Sequence, residues 1–500
     1  MSSDPTRYEG GQPTTPYMDA VAARGLRGST RFHVPGHKGG AGADPGLVGA
    51  IGERALLLDL SAGQEGIDIG EHPTPFESAE RLAAEWHGAR RTFFLTNGAT
   101  QGNHMLCLAL APAGSEVIVQ RNAHASVIDG LVLSGGRPHW VAPEYDSGMG
   151  MAHAVNPERL REALSAAPAA KAVFVVSPTY YGSCADVGAL AEVAHAAGAA
   201  LVVDQSWGAH FGAHPSVPKS ALQLGADAVI TSTHKTVGSL TQSAMLHIAE
   251  TDLIDLARVA RCVRILRSTS TSCLLNASLD ASRRQLAVHG TALLDRTLNA
   301  AAELRARINA VPGCLVVGDV EPNAGGLIGW DPLRISIDVS DTGMTGYELA
   351  EDLRVLHDTH VELKTQTTLV LVLGIAEPVE QMQRFAIDFA DVVDRGERGA
   401  LQVGRIASPP SAFERETPMT PREAFLGDSE TVAADAAAGR ISCETIAGYP
   451  PGIPVLLPGE TITDEIIDHL SAIRAAGAEL HGASDPDFAT VVVVADSGRE

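Results

Sequence analysis

Short apolar runs alternate with stretches of helical periodicity between residues 75 and 245. The runs occupy residues 92–95, 116–119, 172–176, 200–203 and 228–230, and helix-like stretches such as 187–197 separate them. A strand that is apolar on both faces suits a parallel sheet whose two faces are covered by helices. The alternation therefore predicts an α/β domain built around a mostly parallel sheet.

Four segments are expected along this chain of 500 residues. We predict an N-terminal arm over residues 1–60, a large α/β domain over 61–290, a smaller α+β domain over 291–405 and a C-terminal α+β domain over 406–500. The arm is rich in Gly and Pro, and strands near 334–339 and 369–373 mark the smaller domain. Residues 408–411 and 417–422, rich in Pro and charge, are typical of a linker. The apolar run 489–495 predicts a buried strand.

The overall charge limits the partners of the chain. A net charge of −23 at pH 7 argues against a nucleic-acid ligand, which needs a basic surface, and is compatible with a cationic small substrate. We find no apolar run long enough to span a bilayer and no apolar stretch typical of a signal peptide near the start. The six cysteines form no C-x-x-C pair, so neither a zinc site nor a disulfide framework is predicted. These features predict a cytoplasmic protein without a membrane anchor or a bound metal.

Lys235 is one of only five lysines in the chain and follows the apolar run at 228–230. An amine condenses with an aldehyde to a Schiff base, whereas a guanidinium does not do so usefully. Taken alone, a lysine at a strand end is more often a solvated side chain. The polar groups that follow the neighbouring strands favour a catalytic role instead.

Three other apolar runs are followed by groups suited to one cofactor. Segment 96–104 is rich in Gly and small polar residues and opens a helix, whose free N–H groups can bind a phosphate. His124 follows the second run, and Asp204 ends the fourth. A buried carboxylate needs a partner, either a protonated pyridine nitrogen or the N–H groups of an ordinary helix cap. Ligands of open α/β sheets bind beyond the carboxyl ends of the strands, so we expect these groups to meet Lys235 there.

The order of phosphate-binding turn, histidine, aspartate and lysine matches the pyridoxal-phosphate enzymes of the aspartate-aminotransferase fold. The chain also resembles the Orn/Lys/Arg decarboxylase family of that fold, specifically its shorter members. The matching segments are Phe32-His-Val-Pro-Gly-His-Lys38, Thr96-Asn-Gly-Ala-Thr100, Ser177-Pro-Thr-Tyr-Tyr-Gly182, Ser232-Thr-His-Lys-Thr236, Gly238-Ser-Leu-Thr-Gln-Ser243, Tyr449-Pro-Pro-Gly-Ile-Pro454 and Pro458-Gly-Glu460. They run from residue 32 to residue 460, so the resemblance covers nearly the whole chain.

The resemblance implies a role for each matched residue of the large domain. Lys235 forms the Schiff base with pyridoxal 5'-phosphate, Asp204 pairs with the pyridine nitrogen, and His124 stacks on the ring. The residues implied to complete the cofactor site are Gly98, Ala99, Thr100, Ser232 and His234 at the phosphate, with Ser206 and Trp207 after the aspartate. Those expected to take part in catalysis are Lys235, His234, Asp204 and His124.

Two positions of the expected cofactor site depart from the family pattern. Ala99 stands where the family often has a Ser or Thr that binds the phosphate. Ser206 replaces the usual alanine and is expected to place a hydroxyl against the cofactor ring.

The implied reaction is α-decarboxylation of a basic L-amino acid (arginine, lysine or ornithine) to the amine and CO2. Transamination or oxidative decarboxylation at the same cofactor remains an alternative, and so does an inactive regulator that pairs with a true decarboxylase. The resemblance also implies at least a homodimer, in which residues 32–38 contribute to the partner's site or merely clasp the partner. The expected partners are therefore a small basic amino acid and a second copy of the chain, without nucleic acid or membrane.

Overall fold

A computed structural model describes residues 11–146, 149–318, 326–396, 417–449, 453–475 and 477–496. The helices are α1 (Pro16–Gly25), α2 (Pro45–Ile51), α3 (Glu53–Leu58), α4 (Pro75–His87), α5 (Gly98–Leu110), α6 (Ala125–Ser134), α7 (Pro157–Ala166), α8 (Val187–Ala196), α9 (Thr233–Thr236), α10 (Leu256–Leu266), α11 (Cys273–Asn309), α12 (Gly346–His357), α13 (Val379–Arg395), α14 (Pro421–Leu426) and α15 (Asp464–Ala475). The strands are β1 (Arg91–Leu95), β2 (Glu116–Gln120), β3 (Arg137–Val141), β4 (Tyr145–Asp146), β5 (Met151–Ala152), β6 (Ala172–Val176), β7 (Ser183–Ala185), β8 (Ala200–Asp204), β9 (Ala228–Thr231), β10 (Ala244–Ile248), β11 (Leu315–Val316), β12 (Leu327–Trp330), β13 (Arg334–Asp338), β14 (Leu363–Lys364), β15 (Thr368–Val372), β16 (Ser429–Ala433), β17 (Ile446–Tyr449), β18 (Ile453–Leu456), β19 (Glu479–His481) and β20 (Thr490–Val494).

Seven strands form the central sheet, in the order β1-β10-β9-β8-β6-β2-β3. The strands β9, β8, β6, β2 and β3 are parallel to one another, while β10 runs antiparallel to both of its neighbours. Because β1 is antiparallel to β10, it is parallel to the other five strands. The prediction of an α/β domain with a mostly parallel sheet is confirmed, and each of the five apolar runs falls on a strand of it.

Strand β6 shows why a continuous apolar run forms a central strand. All five of its residues are buried. Ala172, Phe174 and Val176 pack into one apolar cluster with α5, α6 and α10, whereas Val173 and Val175 pack into another with α7 and α8. Successive residues of a strand point to opposite faces, so a strand between two helical layers needs an apolar residue at every position.

The N-terminal residues include a helix that is anchored to the rest of the fold. Tyr17 and Val21 on α1 are fully buried in a cluster shared with α4 and α11. The backbone N–H of Tyr17 donates to the Asp280 carboxylate on α11 at 2.9 Å. The segment that follows is more open, since Phe32 is 95% exposed. The described part of the predicted arm, residues 11–60, therefore combines a packed helix with an exposed segment.

A second sheet, antiparallel throughout, has the order β11-β13-β15-β14. The predicted strands near 334–339 and 369–373 correspond to β13 and β15, which pair along five residues each. Apolar side chains of this sheet pack with α12, α13 and the second half of α11 in one large cluster. The 37-residue helix α11 thus connects the two sheets.

The C-terminal residues form two small antiparallel sheets, β16-β20 and β18-β17-β19, with α15 packed on them. The apolar run 489–495 forms β20, but only alternate residues of it, Val491 and Val493, are buried, so the predicted burial holds for one face only. The linker prediction is wrong for the end of 417–422, because a capping box of Thr420 and Glu423 starts α14 there. Its other part, 408–411, lies outside the described residues. Within the described ranges, no helix is both long and apolar enough to cross a membrane.

Candidate active site

The predicted site residues meet at one edge of the central sheet. The strands β1, β2, β8 and β9 run in the same direction, so their carboxyl ends lie on the same side. Gly98 follows β1, His124 follows β2, Asp204 ends β8 and Lys235 follows β9. The last three side chains also interact electrostatically. Desolvation has the largest effect on the pKa of His124 and lowers it, the Asp204 carboxylate opposes this shift, and the Lys235 charge adds to it. The structure thus brings together the side chains that the sequence assigned to one site.

Lys235 lies in α9, a single helical turn that begins directly after β9. Its Nζ atom lies 3.4 Å from the centroid of the Trp207 ring. Burial lowers the pKa of Lys235 to about 8, the Asp204 carboxylate opposes this shift, and the Arg334 charge adds to it. The amine is therefore a neutral nucleophile at a much lower pH than a solvated lysine, whose pKa is 10.5.

Arg334 is a second cation at the Trp207 ring, and the sequence analysis did not assign it. It begins β13 of the smaller sheet, its side chain is buried, and its Cζ atom lies 4.2 Å from the ring centroid. Burial lowers the pKa of Arg334 to about 10, so the guanidinium stays charged at neutral pH. Its Nε and Nη2 atoms have no hydrogen-bond partner among the described residues. The smaller sheet therefore contributes a positive charge and unpaired donors, which suit an anionic group.

Asp204 is buried at the end of β8 and accepts three hydrogen bonds. Asn103 donates from Nδ2 to Oδ2 at 2.9 Å, and Ser206 donates to Oδ1 from its backbone N–H at 3.0 Å and from its hydroxyl at 2.5 Å. The sequence predicts the Ser206 hydroxyl against a cofactor ring. In the structure this hydroxyl donates its hydrogen bond to the Asp204 carboxylate. A carboxylate has about four acceptor positions, so one position remains on Oδ2. A protonated pyridine nitrogen, with its single N–H, fits that position.

A chain of hydrogen bonds joins Asp204 to His124. The Asn103 amide on α5 also donates to the Ser126 hydroxyl at 2.9 Å. That hydroxyl lies 2.8 Å from His124 Nδ1, which also accepts the Ser126 backbone N–H at 3.1 Å and so caps α6. The hydrogen-bond pattern assigns the lone pair to Nδ1 and the proton to Nε2, and desolvation keeps the ring neutral by lowering its pKa. The network fixes the imidazole relative to the carboxylate, and His124 as a residue remains solvent-exposed.

The first turn of α5 is the predicted phosphate site. Ala99 and Thr100 lie in this turn, where backbone N–H groups lack partners within a helix and the helix dipole is positive. Gly98 differs, because its N–H donates to the carbonyl oxygen of Gln242 at 2.7 Å and its φ of +68° favours glycine. Gly98 therefore shapes the turn, while Ala99 and Thr100 offer the donors.

Ser232 and His234 lie beside the lysine. Ser232 is the buried N-cap residue of α9, and within the described part of the chain its side chain makes no capping hydrogen bond. His234 donates from Nδ1 to the carbonyl oxygen of Ser243 at 2.8 Å, so its lone pair is on Nε2. Burial lowers the pKa of His234, the Ser243 carbonyl opposes the shift, and Lys235 adds to it. The result is a neutral imidazole next to the amine, able to take up a proton at Nε2.

Three residues that the sequence analysis passed over complete the site: Asn103, Ser126 and Arg334. Asn103 and Ser126 are polar residues on the buried faces of mainly apolar helices. Buried polar groups need hydrogen-bond partners, so this contrast was an available signal for both. Arg334 had no such signal, because its position depends on how the smaller sheet packs.

Protein-family models match the chain over most of its length. The model described as Orn/Lys/Arg decarboxylase, major domain, matches residues 15–325, and the model of the C-terminal domain of the same family matches residues 411–498. The chain belongs to the Orn/Lys/Arg decarboxylase family. The resemblance inferred from the sequence motifs is confirmed.

Individual relatives of this decarboxylase-family chain match it almost end to end. The arginine decarboxylase of Halalkalibacterium halodurans is 35% identical over 492 residues, covering 97% of this chain and 98% of the relative. The arginine decarboxylase of Bacillus subtilis is 34% identical over 488 residues, with the same two coverages. Among solved structures, the Francisella novicida lysine decarboxylase LdcF superposes with a TM-score of 0.82 at 20% identity, covering 96% of this chain and 81% of that chain. The structural match shows a common fold.

Proposed function

We propose that the protein converts L-arginine to agmatine and CO2, with pyridoxal 5'-phosphate as its cofactor. The observation that carries the proposal is the presence in one site of Lys235, whose pKa burial lowers to about 8, and of a buried Asp204 that has one acceptor position left. Relatives named arginine decarboxylases support the choice of substrate. The net charge of −23 also suits a cationic substrate.

Pyridoxal phosphate supplies an aldehyde that condenses with amines and a pyridinium ring that accepts the electrons of the breaking Cα–carboxylate bond. Lys235 would hold the aldehyde, Asp204 would hold the protonated ring nitrogen, and His124 would lie against the ring. Ala99 and Thr100 in the first turn of α5, together with Ser232 and His234, would bind the phosphate.

The contacts of each residue define what it does in the reaction. The three hydrogen bonds to Asp204 fix the orientation of its carboxylate, which would keep a proton on the ring nitrogen. Burial of the Asp204 carboxylate would strengthen this ion pair, because water would screen it less. The Cα atom needs a proton after the carboxylate has left. We infer that Lys235 Nζ delivers it, or His234 Nε2 after that atom has taken up a proton, with another acid of the site as the alternative.

We also infer that the protein acts in the cytoplasm as at least a homodimer. Large apolar side chains are exposed in the N-terminal segment and in the loop after α9: Phe32 at 95%, Val34 at 63% and Leu240 at 49%. Exposed apolar groups of this size favour contact with another protein surface. The predicted contribution of residues 32–38 to a partner's site stays a prediction.

An end-point assay with the purified, cofactor-loaded protein tests the proposed function. Separate incubations with arginine, lysine and ornithine are analysed by mass spectrometry for CO2 and amine. Agmatine is the expected product, and initial-rate measurements are expected to give a kcat/KM for arginine at least about tenfold above that for the other two substrates. A keto acid would indicate transamination, hydrogen peroxide would indicate oxidative decarboxylation, and no product from any substrate would indicate an inactive regulator. Each of these results would overturn the proposal.

Arg334→Met is expected to shift to higher pH the midpoint of the rate at which the Lys235 amine reacts with the cofactor aldehyde. The Arg334 charge contributes to the lowered pKa of Lys235, which is about 8. Its removal favours the ammonium form, so the midpoint of the capture rate moves up by about half to one pH unit. The rate is measured by mixing cofactor-free protein with pyridoxal phosphate at a series of pH values on both sides of the pKa of Lys235. Arg334→Lys keeps the charge and serves as the control, and an unmoved midpoint in Arg334→Met would exclude this contribution.

A further inference from the structure

The C-terminal domain, residues 417–496, is joined to the central sheet by a buried ion pair. Arg121, the first residue after β2, donates to both carboxylate oxygens of Glu460, from Nε at 3.0 Å and from Nη2 at 2.9 Å. It also donates to the carbonyl oxygens of Pro454 and Val455 at 2.8 and 3.1 Å. Arg121 is 1% exposed and Glu460 0%. A guanidinium held by four hydrogen bonds in a fork geometry has little freedom to move.

The same domain contacts the far end of α6. Arg422 on α14 donates from Nη1 to the carbonyl oxygens of Val132 and Leu133, at 3.1 and 2.7 Å. These carbonyls belong to the last turn of α6, where carbonyl groups lack partners within the helix and the helix dipole is negative. The C-terminal domain therefore contacts both Arg121, in the turn that leads into α6, and the last turn of α6.

The start of α6 belongs to the candidate active site. His124 is its N-cap residue and follows Arg121 by three positions, and Ser126 lies in its first turn. Both are members of the hydrogen-bond network that runs through Asn103 to Asp204. A shift of α6 displaces the imidazole and breaks the contact between Asn103 and Ser126. The position of His124 therefore depends on the contacts that hold α6 in place.

We propose that Arg121, Glu460 and Arg422 are positioning residues for His124. Through them the C-terminal domain clamps α6 and fixes the imidazole that faces the cofactor. The proposal rests on the proposed function only for the contact between His124 and the cofactor. The clamp itself is a property of the cofactor-free chain.

The turn that carries Glu460 has the shape this contact needs. Gly459 has a φ of +90°, and a Cβ atom there would overlap the carbonyl oxygen of Met419. Glu460 Oε2 also accepts the backbone N–H of Leu457 at 2.9 Å. The turn therefore presents the carboxylate to Arg121 in one orientation.

Hydrogen exchange in the cofactor-free, full-length protein tests the clamp. Glu460→Gln keeps the shape of the side chain but leaves the Arg121 charge without its partner. Amide exchange over residues 121–134 is expected to accelerate at least tenfold. Arg422→Met breaks only the contact with the last turn of α6. Amide exchange over residues 121–134 is expected to accelerate at least threefold in this variant. This second variant keeps the test available if Glu460→Gln does not fold.

Glu444→Gln is the matched control for damage to the C-terminal domain. Glu444 is also buried, but it accepts hydrogen bonds from the backbone N–H groups of Ser484 and Val492 within its own domain. Exchange is expected to accelerate within 417–496 and to stay unchanged over 121–134.

Visible circular dichroism of the bound cofactor tests the positioning of His124. The band is expected to lose at least half of its amplitude in Glu460→Gln, with a dissociation constant for the cofactor at least tenfold higher, and to stay unchanged in Glu444→Gln. Unchanged exchange over 121–134 in Glu460→Gln or Arg422→Met would overturn the clamp, and so would equal effects in Glu444→Gln. A wild-type protein that binds no cofactor would refute the proposed function, while hydrogen exchange would still decide the clamp.

Discussion

Lys235→Ala is expected to lower kcat for arginine decarboxylation at least about a thousand-fold. The Nζ amine is the group proposed to condense with the cofactor aldehyde, and it is also a proposed donor of the proton at Cα. The visible absorption band of the covalently bound cofactor is expected to disappear in the same variant. Steady-state kinetics and an absorption spectrum after incubation with pyridoxal phosphate measure the two effects.

Two further variants make this result specific to the amine. Lys235→Arg keeps a positive charge near the Trp207 ring, but a guanidinium does not condense usefully with an aldehyde, so kcat is expected to fall as far. Lys171→Ala removes an exposed lysine just before β6, at the opposite end of the sheet from the site, and is expected to keep full activity. A Lys235→Ala protein that retained a tenth of the wild-type kcat would contradict the role assigned to Lys235.

The parallel core could be predicted because its strands are apolar at every position. The run at 172–176 is continuous since helices cover both faces of β6. A polar side chain that ends or follows such a strand, as Asp204 does, lies at the carboxyl edge of the sheet. The same argument predicts that His124 and Lys235 lie near Asp204. The order of strands along the chain therefore contained most of the information about the site.

The remaining features depend on contacts between residues that are far apart in the chain. Arg334 reaches Trp207 because the smaller sheet packs against the central one, and Arg121 binds Glu460 across 339 positions. Neither contact produces a local or periodic pattern in the sequence. The valine run of β20 shows a related limit, since the apolar cluster of the C-terminal domain covers only one face of this strand and alternate residues stay partly exposed. Burial of a strand is set by its neighbours as much as by its own residues.

Asp204→Asn is expected to lower kcat about a hundred- to a thousand-fold while leaving the fold intact. The amide has nearly the shape of the carboxylate, so its oxygen can still accept the hydrogen bonds from Ser206. It carries no negative charge, however, and its NH2 group faces the Asn103 donor. The variant therefore cannot hold a proton on the ring nitrogen. Steady-state kinetics and the midpoint of thermal unfolding measure the two parts of this prediction.

Ser206→Ala separates the charge of Asp204 from the geometry of its hydrogen bonds. It removes one hydrogen bond to the carboxylate and keeps the negative charge, so kcat is expected to fall by less than about tenfold. Equal losses in Ser206→Ala and Asp204→Asn would show that the hydrogen-bond geometry governs the rate, and the role assigned to the Asp204 charge would be wrong. The charge also predicts a difference in stability. A buried carboxylate gains from a cationic partner, so the cofactor should raise the unfolding midpoint of the wild-type protein by more than it raises that of Asp204→Asn.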